Sequence, residues 1–89
     1  MAETLRLSGP LTALAAREQL ERGAAALARS GVDFDLAAVR EVDSAGLAVV
    51  LGWVRAGQRS GHPVRIVAAP PSLRSLAELY GVTELLPLA

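Results

Sequence analysis

The chain has 89 residues, 52% of them apolar and 20% charged, which suits a folded globule and gives room for one domain over residues 1–89. Nine basic residues balance nine acidic ones, and every cation is an arginine, scattered from Arg6 to Arg74 without a cluster, so a nucleic-acid partner is not expected. The lack of cysteine excludes disulfides and thiol chemistry, the single histidine His62 cannot make a two-histidine zinc site, and the lack of lysine excludes a Walker-type phosphate loop and a Schiff base.

No cofactor is expected from this set of residues. Residues 1–7 alternate and carry Glu3 and Arg6, unlike a signal peptide. The longest apolar run, 45–54, is about half the length of a membrane-spanning helix. A cytoplasmic chain with no direct membrane insertion is the expectation.

Thr4-Leu5-Arg6-Leu7 alternates as a short half-buried strand and Gly9-Pro10 ends it. A helix follows, with Thr12 as its N-cap and Ala16, Leu20, Ala24 and Leu27 as its core stripe. Gly31 is expected to stop it in the left-handed conformation. Val32-Asp33-Phe34-Asp35-Leu36 alternates strictly and predicts a strand with Phe34 and Leu36 facing the first helix.

After a connector over 37–41, Val42-Asp43-Ser44 opens a second helix that runs to about Arg59 and closes near Gly61. Val64-Arg65-Ile66-Val67 is the next strand. Pro70-Pro71-Ser72 starts a third helix with Ser72 as cap, Leu73, Leu76 and Tyr80 share one of its faces, and Gly81 ends it. Residues 82–88 fit either a short helix or an edge strand. The alternation of strand and helix predicts an α/β layer with at least partly parallel strands.

The second helix carries the functional signal. Leu47, Val50, Leu51 and Val54 give a full core stripe at i, i+3, i+4 and i+7, yet the other side holds Ala45, Ala48, Val49, Gly52 and Ala56. The first charge after Asp43 is Arg55. A helix apolar around most of its circumference is either shielded by the other helices or presented to a partner. The partner reading selects Ser44, Ala45, Ala48, Val49, Gly52 and Arg55 as the contact face.

Ser44 likewise has two readings. It can cap the helix, or it can be a phosphorylation site, since a helix N-terminus tolerates a phosphate that adds about −1.5 to −2 charge beside Asp43. Trp53 is expected in the core unless it lies at the rim of the face, where it would serve as an anchor. His62 reads as a solvated turn residue, Asp33 and Asp35 as a solvated strand face, and Tyr80 as closing the core.

These residues carry a resemblance. Val42-Asp43-Ser44-Ala45-Gly46-Leu47, opening a helix after the Asp35-Leu36 strand, resembles the signature of the STAS domain family, which includes the anti-sigma factor antagonists of bacterial partner-switching systems. Leu7-Ser8-Gly9 before a helix matches the family's opening. Leu76-Ala77-Glu78-Leu79-Tyr80-Gly81-Val82 is similar to the last helix of small STAS subunits of Gram-negative phospholipid ABC transporters.

The resemblance implies a small mixed or mostly parallel sheet flanked by helices, and no catalytic residues. It implies one of two partners. The first is the ATPase subunit of a phospholipid transporter, which would hold the chain at the inner membrane and make it part of outer-membrane lipid asymmetry. The second is an anti-sigma factor kinase acting on Ser44. Phosphorylated members often carry a second hydroxyl residue after the first, where this chain has Ala45, which favours the transporter. A hydrolase using Ser44 would need an adjacent base, and the sole histidine lies after the helix.

Overall fold

The computed structural model describes residues 2–89 and arranges them as β1 (Glu3–Arg6), α1 (Ala16–Leu27), β2 (Val32–Asp35), α2 (Ser44–Ser60), β3 (Val64–Val67), α3 (Pro71–Leu79) and one 3₁₀ turn, Thr83–Leu85. The strands form one sheet in the order β1-β2-β3, parallel throughout, with Leu5, Phe34 and Ile66 in register across it. Right-handed crossovers between successive neighbouring strands put both connecting helices on one face. Accordingly Phe34 of β2 stacks on Trp53 of α2, with ring centroids 4.1 Å apart and planes 7° apart, while α1 lies along α2 above the same ring.

Thr4, Arg6, Asp33, Asp35 and Arg65 line the other face of the sheet. Arg6 Nε stands 3.4 Å from Asp35 and Arg65 Nη1 stands 3.8 Å from Asp33. Parallel sheets are usually covered on both sides. Here strands of only four residues carry a polar, charge-paired outer face instead of a second layer of helices. The alternation of Phe34 with the aspartates therefore appears in space as the sequence suggests.

The core stripe of α1 is rotated from the expected one. Gln19, Gly23, Ala26 and Leu27 are buried and Leu20 is half open to solvent. The cause is Trp53, which lies against Gly23 and donates its indole N–H to the main-chain carbonyl of Gln19 at 3.0 Å. The helix also starts later than expected, at Ala16 and without a side-chain cap, because residues 12–15 first close a turn from Ala15 N–H to the Thr12 carbonyl. Gly31 is not left-handed, since α1 ends in right-handed backbone at Ala28. Gly31 is needed for room: a Cβ there would stand 2.9 Å from Pro63 Cγ.

At α3, Pro71 takes the first helical position, which suits its missing N–H. Ser72 does not cap the helix. Leu73 and Ala77 are fully buried, and α3 lies beside α2. Gly81, at φ +69°, turns the chain out of the helix. The tail is both of the expected things in succession: after the 3₁₀ turn, Leu88 bridges Ile66 in parallel and closes the outer edge of β3.

Candidate functional site: the outward face of α2

The Asp-Ser-Ala-Gly-Leu step is built for close approach of the loop after β1. Asp43, not Ser44, is the N-cap of α2: its extended backbone lets Oδ1 accept the Gly46 N–H at 3.0 Å. Oδ2 accepts the Ala13 N–H at 3.1 Å, so one carboxylate both caps the helix and clamps the preceding loop. The Asp43 N–H donates in turn to the Leu11 carbonyl at 3.1 Å, and Leu11 N–H to the Glu41 carbonyl at 2.9 Å.

Gly46 completes the arrangement, because a Cβ there would fall 1.8 Å from the Leu11 carbonyl oxygen. Leu47 then enters the core. The Gly46 and Ala13 amides hold the Asp43 carboxyl below the usual aspartate range, against a smaller opposing effect of desolvation. Asp43 is therefore an anion at neutral pH.

With the cap supplied by Asp43, the Ser44 side chain is left exposed in the first turn of α2, and the capping role suggested for it is corrected. The exposed line continues through Ala48, half-buried Leu51, Arg55 and Gln58. Ser44, Leu47, Ala48 and Leu51 form one wall of an open groove of about 420 Å³, and Tyr80 and Val82 form the other. Further along, Leu51, Val54, Arg55 and Gln58 face Glu84 and Leu85. On the other flank, Leu20, Ala24, Gly52 and Arg55 line a second shallow groove with Glu21 and Arg59.

Five of the six residues selected from the sequence lie on or beside this face. Ser44, Ala48 and Arg55 are exposed, and Ala45 and Gly52 are half-buried. Leu20 of α1 reaches across Gly52, where a Cβ would stand 2.7 Å from Leu20 Cδ1. Val49 does not belong to the surface: at 3% exposure it is packed in the core together with Ala56. In exchange, Leu51 and Val54, assigned to the core stripe, are half open. Tyr80 is 56% exposed and walls the groove instead of closing the core.

Trp53 is fully buried and so is not a rim anchor. His62 is half-buried, and its Nδ1 meets the Leu27 carbonyl. Tyr80 and Leu51 are the site residues that sequence reasoning missed. The aromatic ahead of a helix-ending glycine was the available signal for Tyr80.

Among the described residues no helix is long and apolar enough to cross a membrane, and no group of three or more His, Cys, Asp or Glu side chains is placed to hold a metal ion. A short parallel three-stranded sheet with its helices on one side is the arrangement of the STAS fold. The chain matches the family model described as "Mlab, STAS domain" over residues 1–87 and belongs to the STAS domain family.

The chain is 33% identical over 61 residues to the intermembrane phospholipid transport system binding protein MlaB of Haemophilus influenzae. That match takes in 68% of this chain and 58% of the relative, less than two thirds of the relative's length. The fold resembles the unphosphorylated anti-sigma factor antagonist SpoIIAA (TM-score 0.72, 19% identity, 97% of this chain and 77% of that one). It also resembles a putative anti-sigma factor antagonist from Thermotoga maritima (TM-score 0.77, 16% identity, 96% of this chain and 77% of that one).

Proposed function

We propose that this chain is a non-catalytic subunit that docks the ATPase of a phospholipid ABC transporter through the outward face of α2, supporting its assembly and activity and thereby outer-membrane lipid asymmetry. The observation that carries this reading is that exposed Ser44 and Ala48, with half-buried Leu51, face Tyr80 and Val82 across an apolar groove. Exposed aromatic and aliphatic groups around small side chains suit a protein interface, because they bury large areas while letting a partner's backbone come close. The likeness to MlaB, a phospholipid transport system binding protein, supports a place in such a system, and the ATPase as partner is what the family resemblance implies. The same docking would keep an otherwise cytoplasmic chain at the inner membrane.

A hydrolytic role has no geometric support. Ser44 opens α2 and His62 follows its far end, so about 25 Å of helix separates nucleophile from base. The direct test of docking is co-purification of the ATPase with the chain and with Ala48→Asp, an exposed position where a charge leaves the fold intact. The expected result is retention by the natural chain and loss with the variant; equal retention by both would remove this surface from the reading.

A second reading is an anti-sigma factor antagonist switched by phosphorylation of Ser44, and the exposure of that hydroxyl outside the cap favours it. A phosphate there would sit beside the anionic Asp43 at the mouth of the groove and repel an apolar or acidic partner. Intact-mass measurement after incubation with an active cognate kinase tests it. A gain of one phosphate that Ser44→Ala abolishes supports this reading, and an unchanged mass rejects it.

A further inference from the structure

The loop between β1 and α1 ends in a tight turn that is tied to the start of α2. Ala15 N–H donates to the Thr12 carbonyl at 3.1 Å, and Ala13, inside the turn, donates its N–H to Asp43 Oδ2 at 3.1 Å. Gln19 N–H donates to the Ala15 carbonyl at 3.0 Å, so the turn runs straight into α1. The third residue of this fixed turn is Leu14, and it is 98% exposed. Such a position is the ordinary place of Gly, Asn, Asp or Ser. A leucine there buries nothing against its own chain.

A single exposed leucine is unremarkable on a protein surface. The exposed large apolar side chains of this protein are not scattered, however. Among the described residues they are Leu14, Leu20, Leu79, Tyr80 and Leu85. Leu20 borders the groove on the α1 side of α2, Tyr80 and Leu85 border those on the α3 side, and Leu79 adjoins Tyr80. The open strand face carries none of them.

Leu14 joins the same face at the N-terminal end of α2. It follows Ala13 as Ser44 follows Asp43, so the bond from Ala13 to Asp43 sets it next to the residue that opens the apolar groove. The face defined by α2 is thus continuous with a fully exposed leucine supplied by another segment of the chain.

We propose that Leu14 is an anchor of the docking face, received by an apolar pocket of the ATPase subunit while that partner lies along α2. The proposal rests on the ATPase reading of the α2 face and extends it to a residue outside the helix. Taking up a side chain this exposed removes nearly all of its apolar surface from water, which is worth roughly tenfold or more in affinity. The turn is already ordered by its bonds to Thr12 and Asp43, so little backbone freedom is lost when the partner closes on it.

The test is the affinity of the ATPase subunit for the natural chain, Leu14→Ser and Leu14→Met, by titration calorimetry, with thermal unfolding of each chain alongside. Leu14→Ser should raise Kd roughly tenfold or more. Its Tm should stay within about 3 °C of the natural chain's, because the side chain supports nothing in the fold. Leu14→Met keeps an apolar group of similar volume and should bind within about threefold of the natural chain.

A Leu14→Ser chain that binds within about twofold of the natural one overturns the proposal. So does a Leu14→Met chain that binds no better than Leu14→Ser, or a loss of binding matched by a collapse in Tm. The two readings fail separately. Binding that survives Leu14→Ser but not Ala48→Asp removes only the anchor, whereas a natural chain that does not bind the ATPase removes the docking reading and the anchor with it.

Discussion

Trp53 occupies the space that a side chain at Gly23 would need, since a Cβ there would stand 2.2 Å from the indole nitrogen. The ring cannot swing away, because it is fully buried, stacked on Phe34 and bonded to the Gln19 carbonyl. Gly23→Ala therefore sets a helix-propensity gain of about 1 kcal/mol against overpacking and a stranded indole N–H, each costing about 1–3 kcal/mol. We expect a net loss of about 2 kcal/mol in urea denaturation. Because Trp53 is the sole tryptophan, a red shift of intrinsic emission reports the displaced ring directly.

Gly46 and Gly52 lie about one and two-thirds turns apart on α2 but predict opposite outcomes. A methyl group at Gly46 meets the main-chain oxygen of Leu11, which is fixed by its bond from Asp43 N–H and cannot yield. Gly46→Ala should destabilise by about 3 kcal/mol or more. At Gly52 the obstacle is the tip of the partly exposed Leu20 side chain, which can rotate away. Gly52→Ala should be neutral or stabilising by up to about 1 kcal/mol. Thermal unfolding of the two variants side by side decides the matter.

Asp43 gives the fold an acid-side dependence. Its folded-state pKa is lowered by the Gly46 and Ala13 amides, so its stabilisation is fully present above the unfolded value of about 3.9 and drains away as pH falls towards the lower folded value. Asp43→Asn keeps an acceptor at the cap but does not titrate. The natural chain should exceed this variant in Tm at pH 7, and the gap should narrow as pH falls below the unfolded value of about 3.9. Asp43→Ala should be less stable than both at neutral pH, having no acceptor for either amide.

Ala68, at the exit of β3, holds φ at +56°, where an L side chain crowds its own carbonyl. Glycine removes a penalty of about 1–2 kcal/mol there while returning some entropy to the unfolded chain. Ala68→Gly should therefore raise stability by about 0.5–1 kcal/mol, read from the denaturation midpoint.

The order of elements, the aspartates on the open strand face and the Gly61 stop after α2 were legible in the residues. The phase of α2 was not. Hydrophobic periodicity locates a buried side by contrast with a polar one, and α2 offers no charge before Arg55 to supply that contrast. Its rotation is fixed instead by contacts distant in sequence: Trp53 on Phe34 and Gly23, Leu11 against Gly46, and Gly57 against Val64 and the His62 carbonyl. Those contacts bury Val49 and turn Leu51 outward. The same lesson applies to the Asp43–Ser44 step, where two good capping residues stand side by side and only the position of the Leu11–Ala13 loop decides which of them caps.

The bare strand face has a practical consequence. It is separated by the full thickness of the helix layer from the grooves that α2 presents, and its exposed ion pairs contribute little to stability. Arg65→Cys would supply a thiol for a dye or a sensor chip on that side, in a chain that has no other. Molecules tethered by the strands would hold the α2 face away from the support, where any occupancy of it can be followed in real time.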